Sequence, residues 1–343
     1  MSKFKFSVGP WNVHEGADAF GPNVRSSISF EEKVKQFAKM GFSAIQFHDD
    51  DAVPNMNDLT IEEIKIEARK TKAILDKYDL VAEFVAPRLW EDWRTNDGGF
   101  TSMSKRDRDF AEWRSLRSVD IANELGCDKI VLWLAREGTV CYESKDPVES
   151  INRLVKSIDT MLEYDKNIKI LIEPKPNEPI DRSFCPTMGH VMGVSSQTID
   201  PSRVGGLVES AHAVLAGLDP ANEMAFALAQ GKLWGVHLND QNGMKYDQDK
   251  SFGVENIRQA FNQIRVLTKY GFGNNGEYVG LDVKAMRTQP LEDSYRHLSN
   301  SMKIVELLED KVVSFNETEL NNLIEEGNYE KIEMMVVSHL LGV

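Results

Sequence analysis

Eight short apolar or β-branched runs recur along the chain, at residues 4–8, 42–47, 80–85, 129–134, 168–172, 203–208, 233–238 and 278–283. Their length suits strands rather than helices, and the distance between successive runs leaves room for a helix and two loops. The intervening segments have helical periodicity. Residues 28–40 open at a Ser, carry Glu31 and Glu32 in the first turn and stop at Gly41. Residues 59–78 space apolar positions among charges, 107–125 stop at Gly126, and 146–164 and 221–230 continue the alternation. Eight β–α units in a row predict a (β/α)8 TIM barrel with right-handed crossovers, an α/β fold, over residues 1–314. Residues 315–343 read as a short C-terminal helical extension whose Met334, Met335, Val336, Val337 and Leu340 need an apolar surface, on this barrel or on another subunit.

In such barrels reactive groups sit at the C-terminal strand ends, and here those ends turn polar. Strand two ends in His48, Asp49, Asp50 and Asp51, and strand four in Trp133 followed by Arg136 and Glu137. Strand five ends in Glu173 and Lys175, two apart and therefore on one face. Strand six ends in Glu209, with His212 three residues on, a spacing that one helical turn brings together. Strand seven supplies His237, and strand eight repeats the carboxylate-x-lysine pattern with Asp282 and Lys284. After strand seven the loop places Asp247 and Asp249 two apart, where their repulsion is best relieved by a hard divalent cation. A lone Asp-x-Asp is more often a solvated turn, and any one buried carboxylate can be half of an ion pair. The set, with four of the seven histidines at or just past strand ends, points to a metal site.

Composition narrows this further. With 343 residues, 41% hydrophobic and 27% charged, the chain can bury a sizeable core. No apolar run approaches a membrane span and the N-terminus has no signal-peptide pattern, so a cytoplasmic protein is expected. Cys127, Cys141 and Cys185 form no CxxC, which fits a reducing compartment and argues against zinc–thiolate sites. A net charge of −14 disfavours nucleic acid as a partner.

The motifs FHDDD (47–51), DGGFTS (97–102), EPKPNEP (173–179), PTMGH (186–190) and NGMKYDQDKSFG (242–253) occur in that order. Through them the chain resembles the D-xylose isomerase family over about residues 4–290. The resemblance implies a metal-dependent aldose–ketose isomerase acting on a free sugar by hydride shift, with two divalent cations per chain (Mn, Mg or Co) and a homo-oligomer, tetramer or dimer. It assigns Glu173, Glu209 and Asp282 to the first cation, with Glu209 bridging to a second held also by His212, Asp247 and Asp249. It assigns His48 and Asp51 to ring opening and Lys175 to the substrate oxygen at C1. Trp11 and Trp133 become pocket walls, with Lys284 beside the substrate, and Phe20 a residue that enters a neighbouring subunit's site. His237 stands where that family has Asp; L-rhamnose isomerases are similar here, which makes it a metal ligand. Leu207 replaces an Asn, Leu134 and Ala135 replace two glycines, and Thr95 aligns with a loop Phe, so the sugar is not expected to be D-xylose. A sugar epimerase on the same barrel and a catalytically silent sugar- or metal-binding barrel are the alternatives.

Overall fold

The computed structural model describes residues 3–16, 18, 20–244 and 246–343. Eight parallel strands close into a barrel: β1 (Phe6–Val8), β2 (Ala44–His48), β3 (Val81–Ala86), β4 (Lys129–Trp133), β5 (Lys169–Glu173), β6 (Val204–Glu209), β7 (Leu233–Leu238) and β8 (Val279–Leu281). Each pairs with its sequence neighbours and β8 returns to β1, so no strand edge is left open. The strands are almost wholly buried, because helices cover the outside and side chains fill the inside.

The helices begin and end where local chemistry dictates. Ser29 caps Phe30–Met40 by accepting from the Glu32 N–H, and Thr60 with Glu63 forms a reciprocal capping box on Ile61–Lys77. Gly41 and Gly126 stop their helices at φ of 92° and 78°, a region in which a side chain is strained. Asp146 and Asp219 cap helices that carry Pro in the first turn.

Most strand boundaries lie within one residue of the expected ones, and three lie two residues away. Strand two starts at Ala44 rather than 42, because the Phe42 N–H is taken by the Phe37 carbonyl as the preceding helix ends. The first strand begins at Phe6, with Phe4 buried before it. The last is confined to Val279–Leu281, because the Val283 N–H donates to Asn12 Oδ1 and the Asp282 carbonyl accepts from Asn239 Nδ2. Side chains thus terminate the ladder where the site begins.

Two arginines tie the loop after β1 to the segment after β8. Arg25 donates to the carbonyls of His14 and Gly16 on one side and of Met286 (3.0 Å) and Gln289 (2.9 Å) on the other. Arg287 reaches back to Asp18 Oδ1 (2.9 Å) and the Pro22 carbonyl (2.6 Å). At the end of the chain, helices Glu317–Glu325 and Tyr329–Leu341 fold back on the barrel's helical layer. His339 contacts Phe261 and Phe315 there and pairs with the Lys311 carbonyl through Nε2 at 2.7 Å. Val336 is buried, whereas Met334 and Val337 remain exposed.

Candidate metal centre and sugar pocket

Barrel register brings the chemistry together. Glu209 lies level with His237 across β6 and β7, and Trp133 level with Glu173 across β4 and β5, all at the C-terminal rim. Phe84, Val131, Leu171 and Leu207 fill the barrel beneath them as an apolar floor. Gly280 faces the same interior, where an added Cβ would lie 2.3 Å from Gln46 Nε2 and 2.9 Å from the His237 ring. Only glycine leaves the imidazole its place.

Among the described residues, two groups of potential ligand atoms form, each with its members within 4.8 Å of one another: Glu173, Glu209 and His237, and Glu209, His212 and Asp247. Glu209 is common to both. His237 Nδ1 lies 3.3 Å from Glu209 Oε2, 3.5 Å from Glu173 Oε1 and 3.8 Å from Asp282 Oδ2. His212 Nε2 lies 3.1 Å from Glu209 Oε1 and 3.0 Å from Asp247 Oδ2. Of the expected ligands, Asp249 and Asp282 stand outside both groups. Lys284 Nζ engages Asp249 Oδ2 and Asn239 Nδ2 donates to its Oδ1, while Asp282 Oδ1 accepts from the Trp11 indole at 2.9 Å.

So many acids in a dry pocket cannot all ionise. Burial pushes Glu209 well above the usual carboxylate range, against the pull of His212. Burial and the neighbouring Asp247 raise Asp249 to about 7. Burial opposes charge on His212 too, yet Glu209 and Asp247 outweigh it and hold the imidazole at about 9. Glu173 goes the other way, down to about 2, because His237 and His212 overcome the cost of its burial. A divalent cation held between these groups would relieve the same repulsion. The donor set fits that role: carboxylate oxygens and imidazole nitrogens are ligands of divalent cations. The second polar atom of each of His212 (Nδ1), His237 (Nε2) and Asp247 (Oδ1) is buried without a hydrogen-bond partner among the described residues.

Beside the candidate metal ligands stands His48, stacked on Trp11 (ring centroids 4.2 Å, 28°) with Trp90 at a steep angle to it at 5.1 Å. Trp90 in turn meets Trp133 edge-to-face at 4.5 Å. His48 Nδ1 is 3.1 Å from Asp51 Oδ2, and Asp51 also accepts the His48 backbone N–H at 3.2 Å. Burial raises the Asp51 carboxyl, but His48 and Arg88 outweigh it and hold it below the usual range. The other two aspartates of the run turn away. Asp49 is fully buried and clasped by Arg114 through two bonds of 2.6 and 2.7 Å, and Asp50 pairs with Arg88 and Arg114.

These residues line a cavity of about 540 Å³, in the range of small-molecule sites. Trp11, Phe20, His48, Trp133, Lys175 and Lys284 all border it, together with the metal-group residues. Lys175 Nζ donates to Asp247 Oδ2 (2.9 Å) and Glu178 Oε2 (3.2 Å) and lies 5.0 Å over the Trp133 ring. Phe20 is 79% exposed at the rim, its ring 5.4 Å from Tyr246. Asp51 reaches the cavity only through His48. His190 is exposed elsewhere, bonded to Thr187. Leu134, Ala135 and Thr95 are buried outside the lining, so those departures do not reshape the wall. Glu137 is structural, its carboxylate accepting from the N–H groups of Gly99, Phe100 and Thr101.

Arg88, Glu178 and Tyr246 were not anticipated. Arg88 brings Nη2 to 2.6 Å from His48 Nδ1, and Glu178 accepts from both Lys175 and the Asp247 backbone. The signal for Arg88 was its place two residues past β3; Glu178 and Tyr246 lay inside motifs already singled out.

Residues 34–303 match the sequence profile of the xylose isomerase-like TIM barrel family. Among solved structures, the chain is similar to a D-tagatose 3-epimerase-like protein at 18% identity and a TM-score of 0.65, covering 90% of this chain and 99% of the other. It is also similar to D-psicose 3-epimerase solved with D-fructose (10%, TM-score 0.60, covering 91% and 97%). A third is 3-keto-D-glucoside 4-epimerase from E. coli (16%, TM-score 0.61, covering 89% and 100%). At these identities the likeness is one of fold.

Proposed function

Because the chain belongs to the xylose isomerase-like TIM barrel family, we propose that it is a metal-dependent aldose–ketose isomerase of a free, unphosphorylated sugar. The observation that carries the reading is the pair of ligand groups hinged on Glu209, with Lys175 against the second. The second group, Glu209, His212 and Asp247, supplies the ligands that a second cation would need. The cavity also argues against a phosphate. Its described cations, Arg88, Lys175 and Lys284, are each already ion-paired with carboxylates.

Glu173, Glu209 and His237 would hold one divalent cation, and Glu209, His212 and Asp247 the other. Bound there, such ions would supply Lewis acidity toward the oxygens of the substrate. The Lys175 ammonium stabilises negative charge as it develops on O1. Trp11, Trp90 and Trp133 give the sugar's carbon face an apolar wall and keep water from the reacting carbons. His48 stands on that wall to hydrogen-bond the cyclic sugar while its ring opens. The hydrogen on C2 passes to C1 with its electron pair, and the O2 proton ends on O1, so aldose and ketose balance.

A second reading, a sugar epimerase, is favoured by Asp282, which stands close to the Glu173–Glu209–His237 group and supplies an acid beside a single cation. Isotopes separate the two. An accepted aldose carrying deuterium at C2 should give ketose with the label kept at C1, whereas an epimerase exchanges its migrating proton with solvent. Metal analysis should give about two ions per chain, falling below about one in Glu209→Ala. Lys175→Met should slow turnover by about a hundred- to a thousandfold with both ions retained. Washout of the label overturns the hydride reading, and full metal in Glu209→Ala overturns the bridge. No turnover in a broad sugar screen, with both ions bound, leaves a silent binding barrel.

A further inference from the structure

We propose that Glu83 and Gln46, inside the barrel beneath the candidate metal ligands, hold His237 from behind. Gln46 Oε1 accepts the hydrogen on His237 Nε2, so that Nδ1 is the nitrogen turned to the cation. The inference rests on His237 being a ligand, as the proposed function has it. Gln46, on β2, is fully buried, and its Nε2 donates to Ser7 Oγ (3.1 Å) and to Glu83 Oε2 (3.1 Å). Glu83 comes from an irregularity in the ladder. Ile45 pairs with Ala82 and Gln46 with Phe84, so Glu83 has no partner in that register, and its buried carboxylate reaches Gln46 instead. A carboxylate accepts, whereas a carboxamide has one end that donates and one that accepts. Glu83 therefore fixes which way the amide points and leaves Oε1 as its free end.

Two buried polar atoms meet at this place. Gln46 Oε1 and His237 Nε2 are both buried without a hydrogen-bond partner among the described residues. Gly280, level with His237 across β7 and β8, relates them. A Cβ there would lie 2.3 Å from Gln46 Nε2 and 2.9 Å from His237 Cδ2, so the amide nitrogen is within about 5 Å of the ring carbon bonded to Nε2. The Phe84 ring packs against the imidazole at 6.0 Å, and Nδ1 faces Glu209 and Glu173. The bond from Nε2 closes directly or through one water, and either route keeps the hydrogen on that nitrogen. A buried donor left unpaired costs free energy, so the amide favours the ring orientation that turns Nδ1 to the ligand group. Gln46 lines no part of the cavity and is a positioning residue.

Manganese titration of metal-free, full-length protein tests this arrangement without any turnover. Gln46→Met, close to glutamine in volume, should weaken the binding of one ion about 10- to 100-fold, as loss of the partner behind a ligating imidazole does. In a His237→Asp background, which offers Gln46 no ring N–H, the same substitution should change affinity by less than about twofold. An amide that only supports the fold would cost the same in both backgrounds. Glu83→Gln should weaken the same ion, because the Gln46 amide is then free to turn, and again only where His237 is present. Wild-type affinity in Gln46→Met, or an equal loss in the His237→Asp background, overturns the proposal. If Gln46→Met does not fold, Glu83→Gln decides alone, and wild-type affinity there overturns it. Unchanged affinity in His237→Ala would overturn both the proposal and the assignment of His237 as a ligand. A loss there with none in Gln46→Met overturns the proposal alone.

Discussion

At the scale of single residues, burial and one neighbour decide what a histidine does. His297, on the helix Arg296–Ser314, bonds the Asn12 carbonyl through Nε2 at 2.7 Å with Gln289 Nε2 beside Nδ1. Burial pushes it down to about 4, against that hydrogen bond. An unfolded imidazole titrates near 6.5, so as pH falls the unfolded chain takes up the proton first. Stability from His297 is therefore complete above about pH 6.5 and drains away between there and pH 4, by roughly 3 kcal/mol in all. Denaturant midpoints at pH 7 and pH 5 should fall further apart in the wild type than in His297→Gln, which keeps a donor but does not titrate. Equal pH dependence in the two would show that this imidazole is not the group responsible.

At the scale of elements, the turn after β2 depends on a distant helix. Asp49 opens the short helix Asp49–Ala52, and its carboxylate is held by Arg114 of Lys105–Leu125, both groups being almost wholly buried. Removing one member leaves a buried charge unpaired, so Arg114→Met should cost about 3–5 kcal/mol, and Asp49→Asn combined with it markedly less. Additive losses in the double variant would mean the two do not act as a pair. The same turn shows what could be read in advance. The strand and its polar end stand out because an apolar run stops abruptly at His48. The three aspartates look alike in a row, and only helical geometry sends Asp49 inward to Arg114 while Asp51 stays with His48. Asp247 and Asp249 likewise look equivalent at a spacing of two, yet Lys284 and Asn239 hold one while His212 and Lys175 face the other. Arg88 lies 40 residues from His48 in sequence, too far for any local pattern to join them.

At the scale of the whole molecule, the barrel and its site form one layer and the last two helices another. Leu320, Leu323 and Val336 are buried, and Phe315 packs edge-to-face on Phe261 of the helix Ile257–Lys269. None of the residues after 314 lines the cavity at the C-terminal ends of the strands. Deleting residues 316–343 should therefore lower the denaturation midpoint, since apolar surface on the barrel's helices is uncovered, while metal content stays at the full-length value. Loss of metal along with stability would tie the tail to the site.

The lacing by Arg25 and Arg287 has a consequence for traffic. Through those bonds, and through Trp11 on Asp282 and Asn12 on Val283, the arcs after β1 and β8 are stitched into a single jamb. Opening the cavity on this side would break those bonds, so a ligand that enters past Trp11 meets a braced rim.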